Sequence, residues 1–269
     1  MVAEIGGRRF EWGSRTYVMG ILNVTPDSFS GDGLGDDVEA AIEQGLRMIR
    51  EGADVVDVGG ESTRPGHVPV TAAEEIARVE SVVRRLASGA DVPISIDTYK
   101  AEVAEVGVAA GATIVNDVWG LTKSPAIADL AARHGCALVV MHNQNGTDYP
   151  GDLMDEVMRF LAVSASRAVA AGVPKEKVII DPGIGFGKTA DQNWEVMQRL
   201  GELKELGHPI LIGTSRKSFI GKLLDLPASD RLEGTMATVV AAVLRGADIV
   251  RVHDVLQMVR AARVADRMR

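Results

Sequence analysis

One unit recurs along this chain of 269 residues: a helix-like stretch, a glycine, a short apolar run and then a polar residue. "EGADVVDVGG" (51–60) and "RGADIVRVHD" (245–254) are two clear copies. The glycine suits the end of a helix, where a left-handed backbone is often needed. The apolar runs do not alternate strictly, which is typical of strands that are covered on both faces in a parallel sheet. The runs lie at 17–25, 51–60, 91–98, 110–118, 134–142, 171–183, 206–214 and 245–254.

Helix-like segments separate the apolar runs, and no linker or low-complexity stretch interrupts the series. Eight strands that are each followed by a helix predict the α/β class, with residues 1–269 forming one domain, a single (β/α)₈ TIM barrel. A doubly wound open sheet is the main alternative, because alternation alone does not show closure. The number of units favours the barrel, and we expect residues 3–13 to form a short N-terminal hairpin that could close its N-terminal end. The helical segments are 36–50, 72–87, 100–110, 124–134, 152–171, 191–206, 232–245 and 255–268.

The charge balance excludes two broad classes of protein. The net charge is −8, from 29 basic against 37 acidic residues, whereas general nucleic-acid binders and proteins held on anionic membranes rely on excess positive charge. The first residues lack the apolar core of a signal peptide, and the longest apolar run, 236–244, is too short to span a bilayer. Cys136 is the single cysteine, which excludes an internal disulfide and a thiolate zinc site. We therefore expect a cytoplasmic protein.

The last apolar run contains two basic residues, Arg251 and His253. In a strand they would point the same way, and an arginine is seldom buried without a partner. The preceding run is followed by "GTSRKSF" (213–219), which gathers hydroxyls, backbone amides and two cations. Because the loops after strands seven and eight commonly bind phosphate in this fold, these residues predict a phosphorylated ligand. The alternative is an internal salt bridge with Asp254 or Glu233.

Polar residues follow the other strands as well, and a barrel would gather them around one pocket at its C-terminal face. Each has a simpler alternative: Asp97 as a cap for the next helix, Asp57 as a structural hydrogen-bonding residue, and His142 as a loop residue at the rim. "DPGIGFGKT" (181–189) lacks the spacing of a phosphate loop, because Gly183 and Gly187 are too close. The polar strand-end residues are Asn23, Asp57 to Glu61, Asp97, Asn116, His142, Asp181, Ser215, Lys217, Arg251 and His253.

Two of the loops after strands are long, polar and rich in turn residues: "NVTPDSFSGDG" (23–33) and "GGESTRPG" (59–66). Loops of this kind often act as lids over a site.

Several stretches together resemble the dihydropteroate synthase family of pterin-binding enzymes, and they extend from Gly20 to Val255. The resemblance implies a folate-pathway transferase on a (β/α)₈ barrel, usually a homodimer. It implies that 4-aminobenzoate is joined to 6-hydroxymethyl-7,8-dihydropterin diphosphate, giving 7,8-dihydropteroate and diphosphate with the help of Mg²⁺. The stretches are "GILNVTPDSFS", "DVGGESTRPG", "ISIDT", "IVNDV", "DPGIGFGKT", "GTSRKSFIG" and "VRVHDV".

The resemblance also assigns site residues by motif. Asn23 resembles the metal-linked residue, and Arg251 and His253 resemble the diphosphate anchors. The resemblance gives catalytic roles to Asp97, Lys217, Arg251 and His253. The motif "SFSGDG" departs from the family pattern, which more often has an acidic residue directly after the serine. The pterin-pocket set is Asp97, Asn116, Asp181 and Lys217, and the aminobenzoate set is Phe29, Thr63, Arg64, Pro65, Phe186 and Ser218.

Two other functions compete with this assignment. A pterin-binding methyltransferase that passes a methyl group to a corrinoid would need similar Asp and Asn contacts, but it has little use for a diphosphate anchor. A paralogue that binds pterin without turnover is the second alternative, and the presence of all expected site residues weighs against it.

Overall fold

The structure is a computed structural model. It describes residues 1–25, 34–61 and 69–269, with only the backbone for residues 34–37. An antiparallel hairpin of β1 (Val2–Ile5) and β2 (Arg8–Glu11) comes first. Among the described residues, eight further strands then pair in parallel. They are β3 (Tyr17–Asn23), β4 (Val55–Gly59), β5 (Ile94–Asp97), β6 (Ile114–Asp117), β7 (Ala137–Met141), β8 (Val178–Asp181), β9 (Leu211–Ile212) and β10 (Ile249–Val252).

Helices connect consecutive parallel strands and lie outside them. The described helices are α1 (Leu34–Arg50), α2 (Ala72–Gly89), α3 (Ala101–Ala109), α4 (Ala126–His134), α5 (Leu153–Ala170), α6 (Ala190–Arg199), α7 (Ser218–Leu224), α8 (Leu232–Leu244) and α9 (Val255–Ala265). Short 3₁₀ helices cover Lys175–Lys177 and Leu200–Leu206. None of the helices in the described ranges is long and apolar enough to cross a membrane.

The parallel sheet closes on itself, so the barrel prediction is confirmed over the open sheet. The strand order is β8-β7-β6-β5-β4-β3-β10-β9. A parallel bridge between Ile180 and Ile210 joins the two ends of this order, and the Ile180 amide donates to the carbonyl of Pro209 at 2.9 Å.

The barrel has an outer core against the helices and a separate inner core. In β3, Val18 and Leu22 belong to the outer core, whereas Met19 belongs to the inner one. The hairpin supplies Phe10 to the inner core together with Ala3 and Ile5. The predicted hairpin is therefore present, and it covers the N-terminal end of the barrel with apolar side chains.

The structure differs from the sequence prediction in the last third of the chain. The helix predicted over 191–206 is α-helical to Arg199 and continues as a 3₁₀ helix, near Gly201, a residue that weakens helix interiors. β9 has two residues, and Pro209 just before it lacks an N–H for the ladder. α7 was not predicted, because its seven residues are too few to show a helical period.

The loop after β8 packs directly on the loop after β7, and glycine makes this possible. Gly183 has φ +70°, and a Cβ on it would overlap the carbonyl oxygen of His142. Gly187 has φ +55°, and a Cβ on it would lie 2.7 Å from the Gln144 side chain and 2.9 Å from the Gln144 carbonyl oxygen. The Gly187 carbonyl accepts a hydrogen bond from the Tyr149 hydroxyl at 2.8 Å. The two loops therefore form one packed layer at the C-terminal face.

We expect Gly183→Ala to destabilise the protein more than Gly146→Ala, its matched control. Both glycines have positive φ, +70° and +79°, but nothing lies within 4 Å of a Cβ at Gly146. Left-handed strain alone costs roughly 1–2 kcal/mol, whereas the overlap at Gly183 should add about 1–3 kcal/mol. Urea unfolding of the two variants measures the difference. Equal losses would contradict the close packing of the two loops.

Candidate active site

The polar strand-end residues extend the inner face of the barrel. Ile249 belongs to the inner apolar core, and Arg251, two residues later, points to the same side because strand side chains alternate. Three other polar residues likewise lie two positions after an inner-core residue. Asp57 follows Val55, Asn116 follows Ile114, and Asp181 follows Ile179. The apolar core thus ends in a polar layer at the C-terminal face, where barrel enzymes place their active sites.

Arg251 lies at the centre of this layer and bonds two carboxylates. Its Nε donates to Asp57 Oδ2 at 2.6 Å, and its Nη2 donates to Asp97 Oδ2 at 2.6 Å. Asn116 Nδ2 donates to the same Asp57 oxygen at 3.0 Å. The internal salt bridge considered for Arg251 therefore exists, but its partners are Asp57 and Asp97, not Asp254 or Glu233. Asp254 pairs instead with Arg216, at 2.6 Å.

Burial governs the protonation of these groups. It raises the pKa of Asp97 to about 7, against the opposing charge of Arg251 and with a further upward contribution from Asp57. Burial alone would lower the pKa of Arg251, but Asp57 and Asp97 raise it above its ordinary value. Among the described residues, Asp57 Oδ1 and Asp97 Oδ1 have no hydrogen-bond partner. Each carboxyl group therefore has an acceptor atom that is not used by the fold.

The hydrogen bonds decide between the alternatives left open by the sequence. Asp97 does not cap a helix: the residue that precedes α3 is Lys100, which makes no side-chain cap bond, and the Asp97 side chain bonds Arg251. Asp57 makes the hydrogen bonds expected of a structural residue. His142 is buried directly after β7, so its interpretation as a rim residue is wrong, because the loop after β8 covers it.

His253 is held by Ser215 through two contacts. The Ser215 hydroxyl oxygen accepts from the His253 amide at 3.1 Å and lies 3.0 Å from His253 Nδ1. A hydroxyl that accepts from the amide can donate to Nδ1, which places the imidazole proton on Nε2. Burial and the charge of Arg251 lower the pKa of His253 to about 3. The ring is therefore neutral at physiological pH, with Nε2–H as its donor.

Asp181, the last residue of β8, is held by the loop that follows it. Its Oδ1 accepts from the Gly183 amide at 2.7 Å. Burial raises the pKa of Asp181 to about 6, although the hydrogen bond from Gly183 and the charges of Lys217, Arg251 and Lys188 oppose the rise.

The remaining described positions lie around the mouth of the barrel. Lys217 Nζ lies 4.1 Å from the centre of the Phe186 ring, a cation–π contact. Ser218 is exposed at the start of α7. Asn23 ends β3 beside Gly59, which in turn pairs with Asp97, so Asn23 and Asp97 lie at the same level of the barrel. Phe29, Thr63, Arg64 and Pro65 lie outside the described residues.

A second buried charge cluster was not predicted from the sequence. Lys100 Nζ donates to Glu61 at 2.5 Å, to Glu75 at 2.6 Å and to the Val70 carbonyl at 2.9 Å. The Tyr99 hydroxyl donates to the other Glu61 oxygen at 2.9 Å. The cluster thus ties Glu61 and Val70, on either side of residues 62–68, to the loop after β5. Glu75 could have been recognised from the sequence as a buried carboxylate. It lies on the buried face of α2, four residues before Val79.

Lys188 was also missed as a site residue. Lys188 is buried, and its Nζ contacts His142 Nδ1 at 2.9 Å and the carbonyls of Gly183 and Phe186 at 3.1 Å each. The sequence offered no signal for this arrangement, since the glycine-rich segment around Lys188 has no periodicity.

Comparison with known proteins identifies the family. A family model described as pterin binding enzyme matches residues 19–253. The chain is 50% identical over 264 residues to the dihydropteroate synthase of Clostridium beijerinckii, covering 98% of this chain and 98% of that protein.

Solved structures agree with the sequence match. The dihydropteroate synthase of Clostridium difficile, determined in the presence of pteroic acid, has a TM-score of 0.94 and 52% identity, covering 96% of this chain and 98% of that one. The enzyme of Xanthomonas albilineans in complex with 7,8-dihydropteroate has a TM-score of 0.91 and 40% identity, covering 100% and 98%. With this similarity over nearly its full length, the chain belongs to the dihydropteroate synthases of the pterin-binding enzyme family.

Proposed function

We propose that this chain condenses 6-hydroxymethyl-7,8-dihydropterin diphosphate with 4-aminobenzoate to give 7,8-dihydropteroate and diphosphate, as a transferase of folate biosynthesis. The observation that carries the proposal is the polar layer of Asp57, Asp97, Asn116 and Arg251 beside Asp181 at the C-terminal face. It combines carboxylates for a pterin with cations for a diphosphate.

The pterin would be bound by Asp181, Asn116 and Lys217. The edge of the pterin offers paired N–H groups, and a carboxylate can accept both in a fork. The amide of Gly183 fixes one oxygen of Asp181, which orients the carboxyl group for this contact. Asn116 can both donate and accept, and Lys217 can donate to the pterin carbonyl as a point charge.

The diphosphate would be bound by Arg251 and His253. The Arg251 guanidinium has five N–H donors, and its ion pairs with Asp57 and Asp97 use Nε and Nη2. It can therefore contact an anion without giving up both carboxylates. The neutral His253 offers its Nε2–H, because Ser215 holds the other ring nitrogen.

The reaction breaks the bond from the pterin methylene carbon to the diphosphate oxygen and forms a bond from that carbon to the aminobenzoate nitrogen. The nitrogen then releases one proton to water, and diphosphate leaves with the electron pair of the broken bond. As diphosphate departs, positive charge spreads over the pterin. The carboxylate of Asp97 stabilises that charge, since a preorganised charge acts strongly in a buried site. Arg251 and His253 stabilise the growing negative charge of the diphosphate. No covalent enzyme intermediate is required.

The donor set at the end of β3 fits Mg²⁺, which keeps waters and phosphate oxygens as most of its ligands. Asn23 offers a carbonyl oxygen and is partly exposed. In the part of the chain that the structure describes, no group of three or more His, Cys, Asp or Glu side chains is placed to hold a metal. We propose that Asn23 contributes one ligand to the ion and that the diphosphate of the substrate contributes others. When bound, Mg²⁺ neutralises negative charge on the leaving diphosphate.

For 4-aminobenzoate, the proposed contacts are Phe186 and Ser218, together with Phe29, Thr63, Arg64 and Pro65. Phe186 lies beside Lys217, a contact that supports adjacent positions for the proposed aminobenzoate and pterin ends of the site.

We also propose that the chain forms a homodimer through the surface of α7 and α8. Leu223, Leu224 and Leu244 are exposed there, beside an apolar groove lined by Trp194 and Ile220, and exposed apolar patches commonly mark interfaces. The cytoplasmic location and the organisation as one domain stay predictions.

The purified protein should form dihydropteroate only when both substrates and Mg²⁺ are present. Omitting any one of the three should abolish the product, which chromatography measures directly. Failure to form product under any metal condition would contradict the proposed reaction, and methyl transfer to a corrinoid would support the competing function.

Arg251→Leu should weaken binding of the pterin diphosphate far more than binding of the unphosphorylated hydroxymethylpterin. Loss of a charged hydrogen bond costs roughly 1.5–3 kcal/mol, or about ten- to a hundredfold in affinity. Calorimetry with both ligands tests this. Arg15→Leu is the matched control. Arg15 also forms two charged hydrogen bonds to one carboxylate, that of Asp54, but it precedes β3 and therefore lies at the opposite end of the barrel. Equal loss for both ligands would indicate that Arg251 has a structural role alone.

Asp97→Asn should lower kcat by about a hundredfold, the scale for one preorganised electrostatic contact, with a smaller effect on ligand affinity. Asp181→Asn should instead weaken pterin binding, because an N–H donor replaces one acceptor oxygen. Asp117→Asn is the structural control: Asp117 is the buried last residue of β6, and it accepts from the amides of Trp119 and Leu121. An Asp97→Asn variant with normal kcat and reduced stability would contradict the electrostatic role.

A further inference from the structure

Lys188 is a buried cation that the proposed reaction does not use. An ammonium group has three N–H donors, and the three contacts of Lys188 Nζ match that number: His142 Nδ1, the Gly183 carbonyl and the Phe186 carbonyl. All three acceptors are uncharged, because burial and the neighbouring Lys188 lower the pKa of His142 to about 3.

Holding a charge among uncharged acceptors in the interior is costly. Burial lowers the pKa of Lys188 to about 7, against the opposing influence of the Asp181 carboxylate. An apolar side chain could pack behind the loop at a lower cost. The position of the charge therefore needs a reason beyond packing.

Lys188 is linked to Asp181 through the backbone of a single residue, Gly183. The Gly183 carbonyl accepts from Lys188 at 3.1 Å, and the Gly183 amide donates to Asp181 Oδ1 at 2.7 Å. The Phe186 carbonyl accepts from the same ammonium, and the Phe186 ring contacts Lys217. One side chain thus holds the backbone on both sides of the loop that follows Asp181.

We propose that Lys188 is a positioning residue for pterin binding, which holds the 183–187 loop against His142 and keeps the Asp181 carboxylate in its charged form. This inference rests on the proposed function and deepens it, because it assigns to a residue outside the pocket a share of the pterin recognition made by Asp181.

The inference predicts a specific dependence on pH. The charged groups that act on Asp181 are Lys217, Arg251 and Lys188, and Lys217 also acts on Lys188. Asp181 accepts the pterin N–H pair in its ionised form, so affinity is full above its pKa, about 6, and declines as the pH falls through that value. Removing the charge of Lys188 raises this pKa, and the decline then begins at a higher pH.

The test is calorimetric binding of 6-hydroxymethylpterin, which lacks the diphosphate, between about pH 5 and pH 8. Lys188→Gln retains two N–H donors for the carbonyls but no charge, and Lys188→Met retains neither. Both should move the midpoint of the decline upward by about one pH unit, the lower end of the effect of a nearby charge. Lys188→Arg keeps the charge and should stay close to the wild type. Lys177→Gln is the control, since Lys177 donates to the Gly135 carbonyl at 2.9 Å just before β8 begins.

An unchanged midpoint in Lys188→Gln, even with lower affinity, would overturn the proposal and leave Lys188 as a structural residue. Circular dichroism should first confirm that the variants fold; if Lys188→Met does not, Lys188→Gln carries the test. Failure of the wild type to bind the pterin at any pH would overturn the proposed function itself, and the role of Lys188 with it. A shifted midpoint in both uncharged variants, but not in Lys188→Arg or Lys177→Gln, supports the inference.

Discussion

The shared ion pair of Arg251 with Asp57 and Asp97 is the interaction on which the site depends. The two carboxylates are buried and Arg251 is mostly buried. Removing one partner from a buried pair is strongly destabilising because a charge is left without compensation. The pair joins β10 and β5 to the middle of β4, and Asn116 adds β6 through Asp57. The interior of the barrel is therefore divided into an apolar part under the hairpin and a charged part at the C-terminal face.

At this face of the barrel, the carboxylates lie next to cations. Burial raises the pKa values of Asp97 and Asp181, so both carboxylates depend on neighbouring cations to remain ionised near neutral pH. Arg251 donates to Asp97 directly, and the charges of Lys217, Arg251 and Lys188 lower the pKa of Asp181 against the effect of burial. A substrate with N–H donors at one end and a diphosphate at the other matches this site, because the donors can face the carboxylates and the diphosphate can face the cations. In the proposed function, the cations that pair with these carboxylates also contribute to binding the diphosphate.

Part of this arrangement could be predicted from local spacing. Arg251 and His253 are two residues apart, so a common direction followed from strand geometry alone. The partners of Arg251 could not be predicted in this way, because Asp57 is 194 positions away and Asp97 is 154 positions away. Their approach depends on β10 pairing with β3, and β3 with β4. The interpretation of Asp97 as a helix cap was reasonable locally and wrong, because the Arg251 guanidinium competes for the same carboxylate.

The sequence by itself determined the repeating strand–helix unit, the apolar hairpin, the polar residues at the strand ends and the family, since each of these is written in short stretches of chain. Tertiary structure alone decided that the sheet closes, that His142 is buried and that Lys188 points inward to contact it. Closure is the physical reason, because it brings the ends of distant strands into one desolvated layer. Burial in that layer, together with the charges of residues far away along the chain, shifts the pKa values of Asp97 and Arg251.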